Sequence, residues 1–205
     1  MKDYEVLPKY FINESKDNKK KINDLKSSKI GFNDVENFLK EYKFDNLLDV
    51  GYGNFYLINL LYKHKEADYN GLYSSADMLK IAKLNLGSEA NLIHGSADNI
   101  PFNDNTFDVV TCVESFHNYI YPQQVIKEIH RVLKPNGICI LSDTGHSGLS
   151  KWIDNNFIMT QVAKSGNHPS YTRNDVENIM KNNRFCIRKS YDLSKNAYTV
   201  IGQKL

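Results

Sequence analysis

The chain has 205 residues, 41% of them hydrophobic, enough to bury one core and too few for two comfortable domains. Its formal charge of +2 comes from scattered basic and acidic residues, and no apolar run approaches the ~18 residues that cross a bilayer, so neither nucleic acid nor membrane is an expected partner. Met1-Lys2-Asp3-Tyr4-Glu5 lacks the apolar core of a signal peptide, and a cytoplasmic location is expected.

Along the chain, Tyr4, Val6, Leu7, Tyr10 and Phe11 form an apolar cluster that must dock somewhere. From Asn13 to Lys29, Lys, Asn, Asp and Ser dominate around Lys19-Lys20-Lys21, and this stretch reads as a solvated, mobile segment. Val35, Phe38, Leu39 and Tyr42 then recur at helical spacing, with Asn33 and Glu36 in the positions of a capping box that would open the helix. Leu47-Leu48-Asp49-Val50 is an apolar strand running directly into the turn Gly51-Tyr52-Gly53-Asn54-Phe55. Without Cβ atoms, Gly51 and Gly53 let the chain turn sharply and leave bare backbone beside the next helix, an arrangement suited to a nucleotide cofactor.

Tyr56, Leu57, Leu60 and Leu61 mark that helix, and Asp68 to Tyr73 reads as the second strand. A helix follows through Met78, Leu79, Ala82 and Leu86, closed near Gly87, and Ala90 to His94 makes a short third strand. Phe107 to Val113 is a continuous apolar and β-branched run, as a strand buried on both faces requires. Val125, Ile126, Ile129, Val132 and Leu133 supply another helix, which Lys134-Pro135-Asn136-Gly137 stops before a fifth strand at Ile138 to Ser142. Thr172 with Asp175 caps a helix through Val176, Ile179 and Met180, and Phe185 to Tyr191 and Tyr198 to Lys204 are two strands joined near Ser194 to Asn196. Strands alternating with helices predict an α/β fold with a doubly wound, mostly parallel sheet of about seven strands and helices on both faces.

Several motifs in order extend the glycine turn: Gly71-Leu72-Tyr73-Ser74-Ser75, Gly95-Ser96-Ala97-Asp98, Asn105-Thr106-Phe107-Asp108 and Arg131-Val132-Leu133-Lys134-Pro135-Asn136-Gly137. In this order and spacing the chain resembles the class I S-adenosylmethionine-dependent methyltransferases, particularly their small-molecule branch. The likeness is good over residues 44–143 and loose beyond. It implies a Rossmann-like sheet whose last strand runs antiparallel. It also implies a single domain: residues 1–43 as N-terminal lid and leading helix, 44–143 as cofactor-binding core, and 144–205 as substrate-loop region with the last helix and strands.

The same resemblance implies S-adenosylmethionine as cofactor, S-adenosylhomocysteine as product and a small-molecule acceptor. Ligands of open α/β sheets lie beyond the carboxyl ends of the strands, so the expected contacts are strand-end residues. Asp49, Gly51 and Gly53 would surround the methionyl part, Tyr73 and Ser74 would face the ribose, and Ala97 and Asp98 the adenine, with Glu114 completing the set. Two departures stand out: Phe55 where a third small residue is usual, and Tyr73 where the family carries an acid that grips both ribose hydroxyls. Losing that grip weakens cofactor binding by ~1 to 3 kcal/mol unless Ser74 or Ser75 compensates.

Because a sulfonium methyl is already electrophilic, catalysis rests mainly on holding the nucleophile in line, and a base is optional. His117 in the loop after the fourth strand, and His146 just beyond the fifth, are the candidate proton acceptors. Tyr10, Tyr119, Tyr121 and Trp152, in segments placed as lids, are the candidate substrate contacts. His64, His94, His130 and His168 have no paired spacing, and no metal site is expected; Cys112, Cys139 and Cys186 fit reduced thiols within strands. A nicotinamide enzyme is disfavoured because Tyr56 stands where its fingerprint wants glycine. The alternative to an enzyme is a catalytically silent methyltransferase-like protein that binds another ligand or a protein partner, while the oligomeric state is left open.

Overall fold

A computed structural model describes residues 18–51, 56–145 and 171–205. In chain order it contains α1 (Asn18–Glu41), β1 (Asn46–Val50), α2 (Tyr56–Leu61), β2 (Asp68–Tyr73), α3 (Ala76–Leu86), β3 (Asn91–His94) and β4 (Phe107–Val113). A 3-10 turn (Phe116–Asn118), α4 (Pro122–Val132), β5 (Leu133–Thr144), α5 (Arg173–Asn182), β6 (Phe185–Ser194) and β7 (Ala197–Lys204) follow.

The seven strands form one sheet in the order β3-β2-β1-β4-β5-β7-β6. β1 pairs parallel with both β2 and β4, β2 with β3, and β4 with β5, whereas β7 is inserted antiparallel between β5 and β6. The strand order therefore reverses direction of growth between β1 and β4, which opens a crevice above their carboxyl ends. This agrees with the mostly parallel sheet and antiparallel last strand expected from the sequence.

Alternation along the strands divides the core into two halves. Leu48, Val50, Val110, Cys112 and Leu141 face α4 and α5, where Val125, Ile126, Ile129, Ile179 and Met180 cover them. Leu47, Val109 and Ile140 face the other way, onto Val35 and Leu39 of α1, Leu57 and Leu61 of α2, and Ala82 and Leu86 of α3. Each such aliphatic side chain, once buried, contributes about 1.5–3 kcal/mol. At the amino ends of the strands Asp108 ties the sheet together: its Oδ2 accepts the backbone N–H groups of Asp45 (3.1 Å) and Asn46 (2.9 Å), and its Oδ1 accepts Lys134 Nζ (2.7 Å).

Two local expectations are corrected. The polar stretch after Asn13 does not stay outside regular structure, because α1 begins at Asn18 and runs unbroken to Glu41. Asn33 and Glu36 accordingly sit inside that helix and do not cap its start. The physical reason is that helix elongation costs little once nucleated, and the docked half around Val35 and Leu39 supplies the nucleus for a lysine-rich extension. The capping box at Thr172 and Asp175 does form, with both reciprocal hydrogen bonds present.

Candidate active site

At the end of β1, Asp49 Oδ1 accepts a hydrogen bond from Thr111 Oγ1 of β4 at 2.7 Å. Burial pushes the Asp49 carboxyl up to about 6, against the stabilising pull of that hydroxyl. Gly51 N–H donates to Leu72 O at 3.3 Å and Gly95 N–H to Tyr73 O at 2.9 Å, so the loops after β1, β2 and β3 are joined side by side. Val50 O, below Gly51, accepts Ser115 Oγ at 3.2 Å and Tyr119 Oη at 3.4 Å.

Val50, Gly51, Leu72, Ser74, Gly95, Ala97 and Tyr119 line a narrow crevice above these strand ends. A neighbouring cavity of about 150 Å³ is bounded by Ser96, Asp98, Asn118, Tyr119, Ile120, Tyr121 and Val125. Larger cavities lie at the opposite, amino-terminal edge of the sheet and beside the β6–β7 turn, away from the glycine turn. The loop carrying Ala97 and Asp98 is held from below by Arg131. Its guanidinium donates to the carbonyls of Ile100 and Phe102, each at 2.8 Å, and to Glu128 at 2.7 and 2.9 Å, while Glu128 accepts Ile100 N–H at 2.9 Å.

Beyond β4 and β5 a second group forms. Glu114 adopts a left-handed backbone (φ 50°), uncommon for a residue with a side chain, and its N–H donates to Ser142 O at 2.9 Å. His117 Nδ1 lies 2.6 Å from Asp143 Oδ1, His117 N–H donates to Asp143 Oδ2 at 2.9 Å, and Thr144 N–H donates to Asp143 Oδ1 at 2.7 Å. Asp143 is 1% exposed and the His117 side chain 37% exposed, so the acid is sealed in and the imidazole can be reached. Burial alone would lower the His117 pKa; the hydrogen bond and charge of Asp143, with the charge of Glu114, raise it instead.

Burial also pushes Glu114 up to about 7, with Asp143 adding to the rise and His117 and Thr144 opposing it. Glu114 Oε1 is buried with no hydrogen-bond partner among the described residues. One ligand atom each from Glu114, His117 and Asp143 falls within 4.8 Å of the others, a cluster that spacing along the chain did not reveal.

The structure thus brings Gly51, Ser74 and Ala97 to one crevice, places Asp98 on the neighbouring cavity and Asp49 half-buried at the end of β1, and sets Glu114 and His117 beside Asp143. Tyr73 goes elsewhere. Its ring is 2% exposed and packs in the core half under α1, α2 and α3, so it does not face the ribose position as expected. Tyr119 is buried against Phe116 and forms part of the crevice wall, whereas Tyr121 is 66% exposed at the mouth of the neighbouring cavity. Gly53, Phe55, His146, Tyr10 and Trp152 lie outside the described residues. Asp143 is the residue that sequence reasoning missed, although an acid ending the apolar strand Ile138 to Ser142 is the same signal that identified Asp49.

A family model described as a methyltransferase domain matches residues 48–141, from the strand entering the glycine turn to the strand that delivers Asp143. Over this central core, just under half of the chain, the sequence is similar to the methyltransferase domain family. This core is 41% identical over 81 residues to a demethylmenaquinone methyltransferase of Staphylococcus epidermidis; the match takes in 38% of this chain and spans about a third, 34%, of that relative's length. Among solved structures, a Pyrococcus horikoshii protein superposes with a TM-score of 0.70 at 23% identity, covering 98% of each chain. A SAM-dependent methyltransferase from Aquifex aeolicus gives 0.69 at 20% identity, covering 91% of this chain and 98% of its own. At these identities the two superpositions establish that this chain shares their fold. Among the described residues, no helix is long and apolar enough to cross a membrane.

Proposed function

We propose that this chain transfers a methyl group from S-adenosylmethionine to a small-molecule acceptor and releases S-adenosylhomocysteine. The observation that carries the reading is the crevice lined by Gly51, Ser74 and Ala97 where the sheet reverses, with Asp98 on the adjoining cavity and the reachable imidazole of His117 on the next strand end. The residues present fit such a cofactor. Glycine and alanine leave the crevice wall open to a flat ring, and the orphaned Glu114 Oε1 is an acceptor suited to a cationic ligand bearing N–H groups. Asp49 and Gly51 would hold the methionyl part, Ala97 and Asp98 the adenine, and Glu114 the cationic side. With Tyr73 in the core, the ribose is left to Ser74, which replaces a charged two-point grip by a single hydroxyl.

The cofactor supplies an electrophilic methyl on a sulfonium. The protein's part is to orient the acceptor, exclude water and, at His117, take up a proton. The curated relatives are demethylmenaquinone methyltransferases. A flat, apolar aromatic acceptor suits the exposed Ile120 and Tyr121 at the cavity mouth, both 66% exposed. This reading places the protein in the cytoplasm, with neither nucleic acid nor membrane as partner. Tyr73 is also the basis of a second reading, a silent methyltransferase-like protein that binds a different ligand or a protein.

Calorimetric titration with S-adenosylmethionine and S-adenosylhomocysteine separates the two. Binding in the micromolar range supports the enzyme; no binding by a folded sample supports the silent protein.

A further inference from the structure

His117 and Asp143 meet at 2.6 Å, and the acid has little freedom to do anything else. Both of its oxygens are occupied: Oδ2 by the N–H of His117, and Oδ1 by the imidazole Nδ1 and by the N–H of Thr144. An ionised carboxylate that accepts these three N–H groups has three of its four lone-pair positions filled and is held in one orientation. It can only accept from Nδ1, so the proton of the neutral ring sits on Nδ1 and the lone pair on Nε2. The other side of the ring agrees, because Nε2 lies 3.1 Å from Asn118 Nδ2, whose N–H is a donor. The amide stands where a proton-bearing acceptor would stand.

The charges point the same way. The charged groups acting on His117 are the carboxylates of Asp143 from β5 and Glu114 from the end of β4, and the Asp143 charge is also felt by the Cys112 thiol and the Tyr198 phenol. Two acids with one imidazole form a pocket that favours a positive charge on the ring. Resting on the methyltransferase reading above, we infer that Asp143 is a positioning residue that locks His117 with a basic Nε2, committing the site to acceptors whose attacking atom must shed a proton, hydroxyls or acidic carbons. For an acceptor X–H, the X–C bond forms, the C–S bond breaks with its electron pair left on sulfur, and the proton leaves X for Nε2. One positive charge disappears at sulfur and one appears on the imidazole, beside Asp143 and Glu114, so the net charge of the site is unchanged.

The test uses the full chain with 15N-labelled histidine. In the wild type, the neutral His117 ring is expected as the Nδ1–H tautomer; an Nε2–H tautomer overturns the inference. In Asp143→Asn, the ring's titration is expected to move to lower pH. An unmoved titration overturns it, as does displacement of the His117 signal by added Mg2+ or Zn2+, which would make the cluster a metal site. Should Asp143→Asn fail to fold, the wild-type tautomer and metal titration still decide.

On the same samples, turnover of 1,4-dihydroxynaphthalene is expected to fall about 10²-fold in Asp143→Asn with cofactor KM held within about 2-fold, the loss typical of a displaced base. Methylation of pyridine in preference to the quinol would overturn the acceptor class, since pyridine has no proton to lose. Titration with S-adenosylmethionine is read in parallel. Failure to bind sinks the methyltransferase reading, whereas the tautomer speaks to Asp143 on its own.

Discussion

The ring of Tyr73 lies across Gly71. A Cβ built at position 71 would stand 2.7 Å from Tyr73 Cε2 and 2.9 Å from Leu92 Cδ2, closer than packed carbons approach. The glycine, two residues back on the same face of β2, is what lets the tyrosine turn into the core. Gly71→Ala should cost about 1–3 kcal/mol by overpacking. In a Tyr73→Leu background the cost should be smaller, and a urea double-mutant cycle measures the coupling. Equal costs in both backgrounds would mean that Tyr73 is not the obstacle.

Asp49 predicts a pH dependence of stability. Its folded pKa, about 6, lies above the ordinary carboxylate value of 3.8, so the folded state keeps a proton that the unfolded chain has released. Stability from this group is complete below the unfolded value and is lost as pH rises through about 6. Asp49→Asn should match the wild type near pH 3.5 and gain on it by up to about 3 kcal/mol by pH 7.5, read by urea unfolding at each pH. A constant difference across that range would contradict the assignment.

Arg131 and Glu128 form the clamp under the loop that carries Asp98. Arg131→Met removes the donors to Ile100 O, Phe102 O and Glu128 at once and leaves a largely buried acid without its partner. The arginine is partly open to solvent, so a loss of about 1–3 kcal/mol is expected. Cofactor affinity should weaken as well, because the loop loses its fixed position. Full stability in thermal unfolding would show that the clamp is ornamental.

Asp98 itself lines the cavity beside the crevice. If its carboxylate receives the adenine amine, Asp98→Ala should raise the S-adenosylmethionine Kd about 5- to 10-fold, the worth of one hydrogen bond, while stability changes by less than about 0.5 kcal/mol. A turn-capping role would give the reverse pattern, lost stability with unchanged Kd.

Most of the scaffold could be read from the chain because each signal was local. The run Phe107 to Val113 is buried on both faces, as a central parallel strand must be, and the Thr172–Asp175 box needs only its own backbone. Asp49, Gly51, Ala97 and Asp98 could be singled out as candidates because they sit at or just after the carboxyl ends of strands, where ligands of such sheets lie. What escaped depended on three dimensions. Tyr73 occupies the sequence position of a cofactor contact, yet its direction is set by the space over Gly71. His117 gave no hint of a partner because Asp143 is 26 residues away and reaches it only through the pairing of β4 with β5. The reach of α1 was missed because composition describes solvation, whereas helix length is decided by what the other end is docked to.

Gly31 brings α1 against the sheet so closely that a Cβ there would lie 2.8 Å from Ser142 Oγ and 3.5 Å from Glu114 Oε1. Farther along the helix, Asp34 accepts the hydroxyls of Tyr191 (2.9 Å) and Thr199 (2.8 Å). The leading helix is therefore one of the walls that keep Glu114 from water and hold its pKa near 7. Seating the helix and protonating Glu114 are one linked equilibrium: each favours the other, and alkalinity works against both. The stretch of α1 around Gly31 and Asp34 thus serves as a latch whose grip on the sheet tightens as protons become more abundant.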